Sequence, residues 1–212
     1  CFISSNTVYP DADRPMTETD VTGDFYRTYQ VVGEMKWFSE KMVNFYSTKV
    51  SRPMKTLILR PGNLYGPFDK FSKEESKVVP ALIRRAHDRE DPFEVWGDGS
   101  DIKDFLYIED FVDAMCLALG SDEEILTLNV ASGHSISLSR VIEEVLRLSE
   151  HAEAEVKFDL SKPVMIPKRL IDVTRISDLL GWRPRVGLAD GLQRTINWYA
   201  AQPATRVSRQ KP

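Results

Sequence analysis

The apolar positions of this chain follow two alternating patterns. Short runs in which nearly every residue is apolar are typical of strands buried on both faces of a parallel sheet. Longer segments with apolar residues three or four positions apart are typical of helices that bury one face. The short runs predict strands at residues 1–3, 55–60, 104–108, 126–130 and 156–158, and the longer segments predict helices at residues 28–48, 78–88, 109–119, 138–148 and 188–199. This alternation predicts an α/β fold.

Turn-forming residues support the predicted boundaries. Ser137 stands where the helix at 138–148 needs an N-cap, and Gly120 and Gly181 stand where helix C-caps are expected. Residues 10–24 are rich in Pro, Asp, Thr and Gly and predict a surface loop. Residues 61–67 predict a sharp stop after the strand at 55–60.

Composition narrows the class of protein. The chain has 212 residues, of which 42% are hydrophobic and 28% charged, so it has enough apolar residues for one large domain. Its two cysteines, Cys1 and Cys116, exclude a disulfide scaffold and predict a cytoplasmic protein. The sequence has no apolar run of the roughly 18 residues that a membrane span needs. A net charge of −4 argues against nucleic acid as a partner but is compatible with a local basic pocket.

The first residues predict that the chain is a fragment of a longer one or a processed piece. Position 1 is a cysteine, and Cys1, Phe2 and Ile3 read as the middle of a buried strand, with no turn or cap before them.

Four motifs carry a resemblance to a known family. They are SSNTVYP at 4–10, LRPGNLYGP at 59–67, WGDG at 96–99 and DFLYIED at 104–110. The set resembles the extended short-chain dehydrogenase/reductase family, the NAD-dependent sugar-nucleotide epimerases and dehydratases. Within that family, the GDP-L-fucose synthases are the most similar group, through PALIRRAH at 80–87, SKP at 161–163, RLIDV at 169–173 and LGWRP at 180–184.

The resemblance implies the C-terminal part of a Rossmann-type parallel sheet and a small α/β substrate-binding lobe. The sheet part would comprise 1–67 and 101–131, the lobe 68–100 and 132–202, and a frayed tail 203–212. The family's glycine-rich dinucleotide loop would precede residue 1, since Gly97-Asp98-Gly99 is a lone turn. The sheet would then expose an apolar edge, which we expect a homodimer or a second chain to cover.

The catalytic pair of this family is a tyrosine and a lysine four residues apart on one helix. Lys36 matches the lysine, which holds the cofactor ribose and lowers the pKa of the tyrosine. Val32 stands at the tyrosine position. Tyr29 shares the helix face but lies about 10 Å from Lys36 along the axis, too far for the usual pair. The resemblance therefore predicts a vacant acid position, which Thr7, His87 or water would have to fill.

Further residues match family positions around the cofactor. Ser5 matches a serine that hydrogen-bonds the reacting sugar oxygen, and Ser4 precedes it in the same loop. His87 matches a histidine thought to act as an acid, although a histidine at a helix end also caps carbonyls. The segment that would line the nicotinamide, or simply form a tight turn, comprises Pro61, Gly62, Asn63 and Leu64.

The substrate implied by the resemblance is a nucleotide-diphosphate sugar. Asn63, Trp96 and Lys103 match its binding positions, because an aromatic face stacks on a base or sugar and a cation pairs with diphosphate. Trp96 is equally compatible with a place in the core. Lys168 and Arg169 would add positive charge or lie on a solvated face.

Several departures and negative features complete this picture. Val164 and Met165 follow SKP where the subfamily has an acid and a glycine, which weakens a specific assignment to a GDP-sugar. His134 and His151 are predicted at the surface, and no spacing of ligands suggests a metal.

Three hypotheses for function follow. The chain is part of an NAD- or NADP-dependent epimerase, dehydratase or reductase of nucleotide sugars, a pseudoenzyme that binds nucleotide sugars, or a structural subunit of a split enzyme.

Overall fold

The computed structural model describes residues 1–162 and 165–203. Pro163 and Val164, and the predicted frayed tail beyond Pro203, lie outside the described residues. The strands are β1 (Phe2–Ile3), β2 (Thr56–Pro61), β3 (Asn63–Tyr65), β4 (Phe93–Trp96), β5 (Ile102–Tyr107), β6 (Ile125–Val130), β7 (Ser135–Ser137) and β8 (Val156–Asp159). The helices are α1 (Gln30–Thr48), α2 (Val78–His87), α3 (Ile108–Leu119), α4 (Leu138–Leu148), α5 (Thr174–Leu180) and α6 (Leu188–Ala200).

The predicted α/β class is confirmed, and every predicted strand and helix is present with ends within two residues of the prediction. The stop predicted after the strand at 55–60 is present, as a break of one residue at Gly62. Pro61 is the last residue of β2, where it pairs with Val130, and β3 begins two residues later. The pattern missed β3, β4 and β7, because strands of three or four residues are too short to show a period.

The first sheet is parallel and has the order β1-β2-β6. All six residues of β2 are buried, including the apolar run of Leu57, Ile58 and Leu59. Phe2 pairs with Ile58 and Leu57 with Leu126, so the chain returns to this sheet after long excursions. A second sheet has the order β3-β5-β7, and β4 pairs in parallel with β8.

Two compact units make up the chain. Unit 1 comprises Cys1–Leu64, Ile102–Ser135 and Met165–Arg185. Its core contains Leu59, Leu128 and the buried side chain of Trp182. Because Trp182 packs into this core, residues 165–185 belong with the sheet, whereas the sequence analysis assigned them to the substrate lobe.

Unit 2 comprises Tyr65–Asp101, Ile136–Val164 and the segment that begins at Val186. Ser137 caps α4, as predicted, by accepting a hydrogen bond from the Arg140 amide. The prediction of His151 at the surface is wrong: its side chain is buried, with Nε2 3.0 Å from the carbonyl oxygen of Glu90. That contact ties the loop after α4 to the loop after α2.

The predicted apolar stripe of α1 is present but mostly uncovered. Gly33 and Glu40 are the buried residues of this 19-residue helix. The large apolar side chains are exposed, with 63% of Phe38 accessible to solvent; the others are Val31, Val32, Met35, Met42 and Phe45. Strand β1, beside this helix, is an edge strand of its sheet. Within the described residues, this part of unit 1 therefore presents apolar surface and an open strand edge together.

We expect copies of the expressed chain to associate with one another through this surface. Sedimentation velocity measures the size of the resulting species. Substituting Met35→Glu or Phe38→Glu should shift the chain towards monomer, because each change removes apolar surface and adds charge. Asn44→Glu is the control, since it adds the same charge to α1 without removing an apolar side chain. A wild-type chain that is monomeric and melts cooperatively would contradict this expectation.

Candidate functional site

Several residues singled out in the sequence meet at the carboxyl ends of the strands in the parallel sheet of unit 1, which we call the sheet edge. Ser4 and Ser5 follow β1. Gly62 follows β2, and Asn63 is the first residue of β3. In open parallel sheets, ligands bind outside the carboxyl ends of the strands. This edge is therefore the candidate active site.

Ser5 begins a tight turn at this edge. Its hydroxyl oxygen accepts a hydrogen bond from the Thr7 amide at 3.1 Å, which caps the 3-10 turn at Asn6–Val8. Asn6 Nδ2 donates to the Pro61 carbonyl at 2.9 Å and so links the turn to the end of β2. Because the Ser5 oxygen uses a lone pair in the cap, its proton can still donate to a ligand.

The helix α1 packs closely against this turn. A Cβ at Gly33 would lie 2.7 Å from the Thr7 carbonyl oxygen and 2.7 Å from the Phe25 ring, so only glycine permits the approach. The Thr7 hydroxyl is buried and has no hydrogen-bond partner within the described part of the chain. A buried hydroxyl of this kind costs free energy unless a ligand satisfies it.

Lys36 is on α1, and its ammonium group lies at the end of β1. Its Nζ donates to the Ile3 carbonyl at 2.9 Å and lies 5.2 Å from the centroid of the Phe2 ring. Val32, one turn earlier, is 45% exposed and offers no acid. Tyr29 belongs to a 3-10 turn, Arg27–Tyr29, that precedes the α-helix.

A buried polar cluster behind this edge escaped the sequence analysis. The carboxylate of Glu40 accepts from Arg60 Nε at 2.9 Å, from Arg60 Nη2 at 2.6 Å and from the Ser4 hydroxyl at 2.5 Å. Arg60 Nη1 donates to the Tyr9 hydroxyl at 3.1 Å, and that hydroxyl donates to Asn129 Oδ1 at 2.5 Å. The available signal was an arginine inside an otherwise apolar strand.

Burial and charge set the protonation of this cluster. Burial raises the pKa of Tyr9 to about 12, although the nearby Arg60 guanidinium acts in the opposite direction. Burial alone would lower the pKa of Arg60, but the Glu40 carboxylate outweighs it and raises that pKa above its ordinary value. The arginine and the tyrosine therefore both keep their protons at neutral pH.

Gly62 and Asn63 pack against a second buried acid, Asp104. Its carboxylate accepts from the amides of Ser132 and Gly133 at 2.7 and 2.8 Å, and burial raises its pKa. Asn63 Nδ2 donates to the Asp104 carbonyl at 2.8 Å. A Cβ at Gly62 would lie 3.3 Å from Asp104 Oδ1, so a glycine fits this corner best.

Three cations lie on neighbouring segments of unit 1. Lys103 Nζ donates to the Ile166 carbonyl at 3.0 Å, and the backbones of Ile102 and Lys168 form a β-bridge. Arg169 is buried, and its guanidinium donates to the carbonyls of Pro10 and Tyr9. Because these acceptors are neutral, burial lowers the pKa of Arg169. This positive charge suits an anionic ligand.

Trp96 and His87 belong to unit 2. The alternative that Trp96 lies in the core is wrong, because 52% of the residue is exposed. Lys162 Nζ lies 5.8 Å from the centroid of the Trp96 ring. An exposed indole can stack on a ring, and the ammonium group beside it can attract an anion.

His87 ends α2 and packs edge-on against Tyr199, with ring centroids 5.2 Å apart. It lines a cavity of about 300 Å³ together with residues such as Leu148 and Gln193, all of unit 2. The residues that meet at the sheet edge are those of unit 1, namely Ser4, Ser5, Thr7, Lys36 and Asn63, whereas His87 belongs to unit 2.

Comparison with protein families decides the identity of this fold. The model of the NAD dependent epimerase/dehydratase family matches residues 1–131, which include the whole sheet edge described above. The chain belongs to the NAD dependent epimerase/dehydratase family. The resemblance predicted from the sequence motifs is confirmed.

Curated members of this epimerase/dehydratase family include close relatives of the chain. GDP-L-fucose synthase of Escherichia coli is 31% identical over 93% of this chain and 65% of its own length. GDP-L-fucose synthase 1 of Arabidopsis thaliana is 29% identical over 97% of this chain and 64% of its own length. The chain thus spans just under two thirds of the length of these relatives.

Solved structures of the epimerase/dehydratase family share the fold. UDP-glucose 4-epimerase of Thermotoga maritima superimposes with a TM-score of 0.82, at 23% identity, over 94% of this chain and 62% of that one. MoeE5, solved in complex with UDP-glucuronic acid and NAD, gives a TM-score of 0.79 at 26% identity, over 93% and 63% of the two chains. The Rossmann-type α/β fold is therefore confirmed.

Replacing Gly33 should destabilise the chain, although alanine is the better helix former. The propensity gain of about 1 kcal/mol is smaller than the cost of separating α1 from Thr7 and Phe25. We expect Gly33→Ala to lower the free energy of unfolding by about 1 to 2 kcal/mol in urea titrations. Gly120→Ala is the control, since its Cβ would make only an ordinary contact of 3.4 Å, and an equal loss there would refute the explanation.

Tyr9 should make the chain less stable at high pH. An unfolded tyrosine ionises near pH 10, whereas the folded chain keeps the Tyr9 proton up to about pH 12. Over that interval the folded state binds more protons, so the free energy of unfolding falls by about 2 to 3 kcal/mol. Tyr9→Phe should remove this part of the fall in urea titrations from pH 9 to 12. Parallel curves for the two proteins would contradict the assignment.

Proposed function

We propose that this chain is part of an NAD- or NADP-dependent enzyme of the GDP-L-fucose synthase type, acting on a nucleotide-diphosphate sugar. The observation that carries the proposal is the meeting of Ser5, Thr7 and Lys36 at the carboxyl end of β1. A hydroxyl that can donate, a buried hydroxyl with no partner among the described residues and an ammonium group lie together there. These are the groups that bind and protonate a sugar oxygen.

The residues at the sheet edge fit one side of a nicotinamide dinucleotide. The partly exposed ammonium of Lys36 suits ribose hydroxyls, and the backbone from Pro61 to Leu64 would line the nicotinamide. Gly62 fixes the course of this backbone, because without a Cβ it packs directly against Asp104. When bound, the dinucleotide would supply the hydride exchange of this family. Ser4 would contribute its backbone alone, since its hydroxyl is committed to Glu40.

Proton transfer has to proceed without the tyrosine of the family. Ser5 would hold the reacting sugar oxygen, and Lys36 would stabilise negative charge beside it. Thr7 and water are candidate sources of a proton at this edge, and His87 of unit 2 remains the third candidate acid. A weak acid such as a threonine hydroxyl predicts slow turnover.

A second candidate function is supported by Val32. An apolar, partly exposed side chain at the position of the acid suits a protein that binds a nucleotide sugar without converting it. For either function, Lys103 of unit 1 would attract the diphosphate. On unit 2, the exposed face of Trp96 suits stacking on a base or sugar. Asn63 would orient the sugar.

The proposed partners follow from the uncovered surface of unit 1. A second copy of the chain, or another chain with a dinucleotide-binding half, would cover β1 and the apolar face of α1. Cys1 and Cys116 are free thiols, which suits the reducing cytoplasm. Among the described helices, none combines the length and hydrophobicity that a membrane span needs.

Restoring the missing acid separates the two functions. In the native gene product, Val32→Tyr should raise turnover of a GDP-4-keto-6-deoxysugar with NADPH by at least about 100-fold, the usual contribution of a general acid. Oxidation of NADPH at 340 nm measures the rate. Val31→Tyr is the control, because it adds a tyrosine at the adjacent exposed position. If Val32→Tyr binds the sugar nucleotide but leaves turnover unchanged, the binding protein is the better explanation.

A further inference from the structure

Two consecutive residues at the end of β1 are each held by one residue of α1. The Ile3 carbonyl accepts from Lys36 Nζ at 2.9 Å, and the Ser4 hydroxyl donates to Glu40 Oε1 at 2.5 Å. Lys36 and Glu40 are four residues apart, so they project from one face of the helix, one turn from each other. Two contacts with matched spacing therefore join α1 to the end of β1.

Of these two contacts, the one made by Glu40 is rigid. Its carboxylate is buried and takes two parallel hydrogen bonds from Arg60, the geometry in which an arginine fixes an acid most strongly. Lys36 is a flexible side chain with a single neutral acceptor, so its own hydrogen bond cannot fix the helix. The position of Lys36 has to be set by its neighbour.

Arg60 transmits this constraint from the sheet. It follows Leu59, whose carbonyl accepts from the Ser4 amide at 2.7 Å, so Arg60 and Ser4 lie in neighbouring strand positions. Arg60 Nη1 is fixed in turn by the Tyr9 hydroxyl and by the Glu18 carbonyl at 2.7 Å. The guanidinium has no freedom to follow a displaced carboxylate, and α1 is held in one register against β1 and β2.

We propose that Glu40, clamped by Arg60 and Ser4, is the positioning residue that sets the place of Lys36 at the carboxyl end of β1. The inference rests on the proposed function, in which Lys36 holds the dinucleotide. Glu40 touches neither cofactor nor substrate. It acts through the helical turn that it shares with Lys36.

Competitive acetylation of the lysines, read residue by residue with mass spectrometry, tests this proposal on the 212-residue chain. The rate at Lys36 is compared with that at Lys41 of the same helix, whose Nζ lies 3.6 Å from the centroid of the Trp37 ring. Ser4→Ala removes one contact to Glu40 and leaves the ion pair, and should raise the Lys36 rate at least threefold while Lys41 is unchanged. Glu40→Gln should raise it at least tenfold.

The matched control is Ser47→Ala. Ser47 is also on α1, and its hydroxyl bonds Thr56 Oγ1 on β2 at 2.6 Å, eleven residues beyond Lys36. This change should leave the Lys36 rate as in the wild type. If Glu40→Gln does not fold, the acetylation rate of Lys36 in Ser4→Ala tests the proposal by itself.

An unchanged Lys36 rate in folded Ser4→Ala, or an equal rise at Lys36 and Lys41, overturns the proposal, since the second result means general loosening. The measurement uses no cofactor, so it stands whether or not the chain proves to bind NAD or NADP. The proposed function fails separately, if Lys36 is held as described and the native gene product binds no dinucleotide.

Discussion

The ion pair between Arg60 and Glu40 is the contact on which unit 1 is organised. Removing two charges from water costs several kcal/mol for each ion, and only near-ideal geometry with further hydrogen bonds offsets that cost. Here the pair is bidentate, and the remaining donors and acceptors are met by Ser4, Tyr9 and the Glu18 carbonyl. A satisfied network of this kind has one arrangement, so it specifies how a helix, two strands and a loop meet.

The sequence predicted the elements of this fold better than their contacts. Apolar runs such as Leu57-Ile58-Leu59 identify parallel strands because every position of such a strand is buried. The hydrogen bond between Tyr9 and Asn129 joins residues 120 positions apart, and no local pattern encodes it. Helical spacing likewise predicted α1, but spacing alone does not say whether an apolar face is covered.

The sequence predicted only part of the candidate site, because local patterns do not show which distant residues meet. Ser5, Lys36 and Asn63 lie within short motifs, and the structure brings them to one sheet edge. Arg60 lies in the same motif as Asn63, but the importance of Arg60 and Glu40 depends on burial, which a motif does not reveal. His87 was singled out from a helix end, and the structure puts it among the side chains of unit 2. Residue type identifies candidates, and the fold decides which of them meet.

The discontinuity of unit 1 has a consequence for how the protein is made. Its core needs Trp182, which is synthesised 118 residues after Leu64. At 5–20 residues per second, a ribosome takes about 6 to 24 s to cover that distance. During this time β1, β2 and the apolar stripe of α1 have emerged without the residues that complete their core. The first segments of unit 1 therefore cannot finish folding before the last one arrives, and the length of that interval is set by the topology.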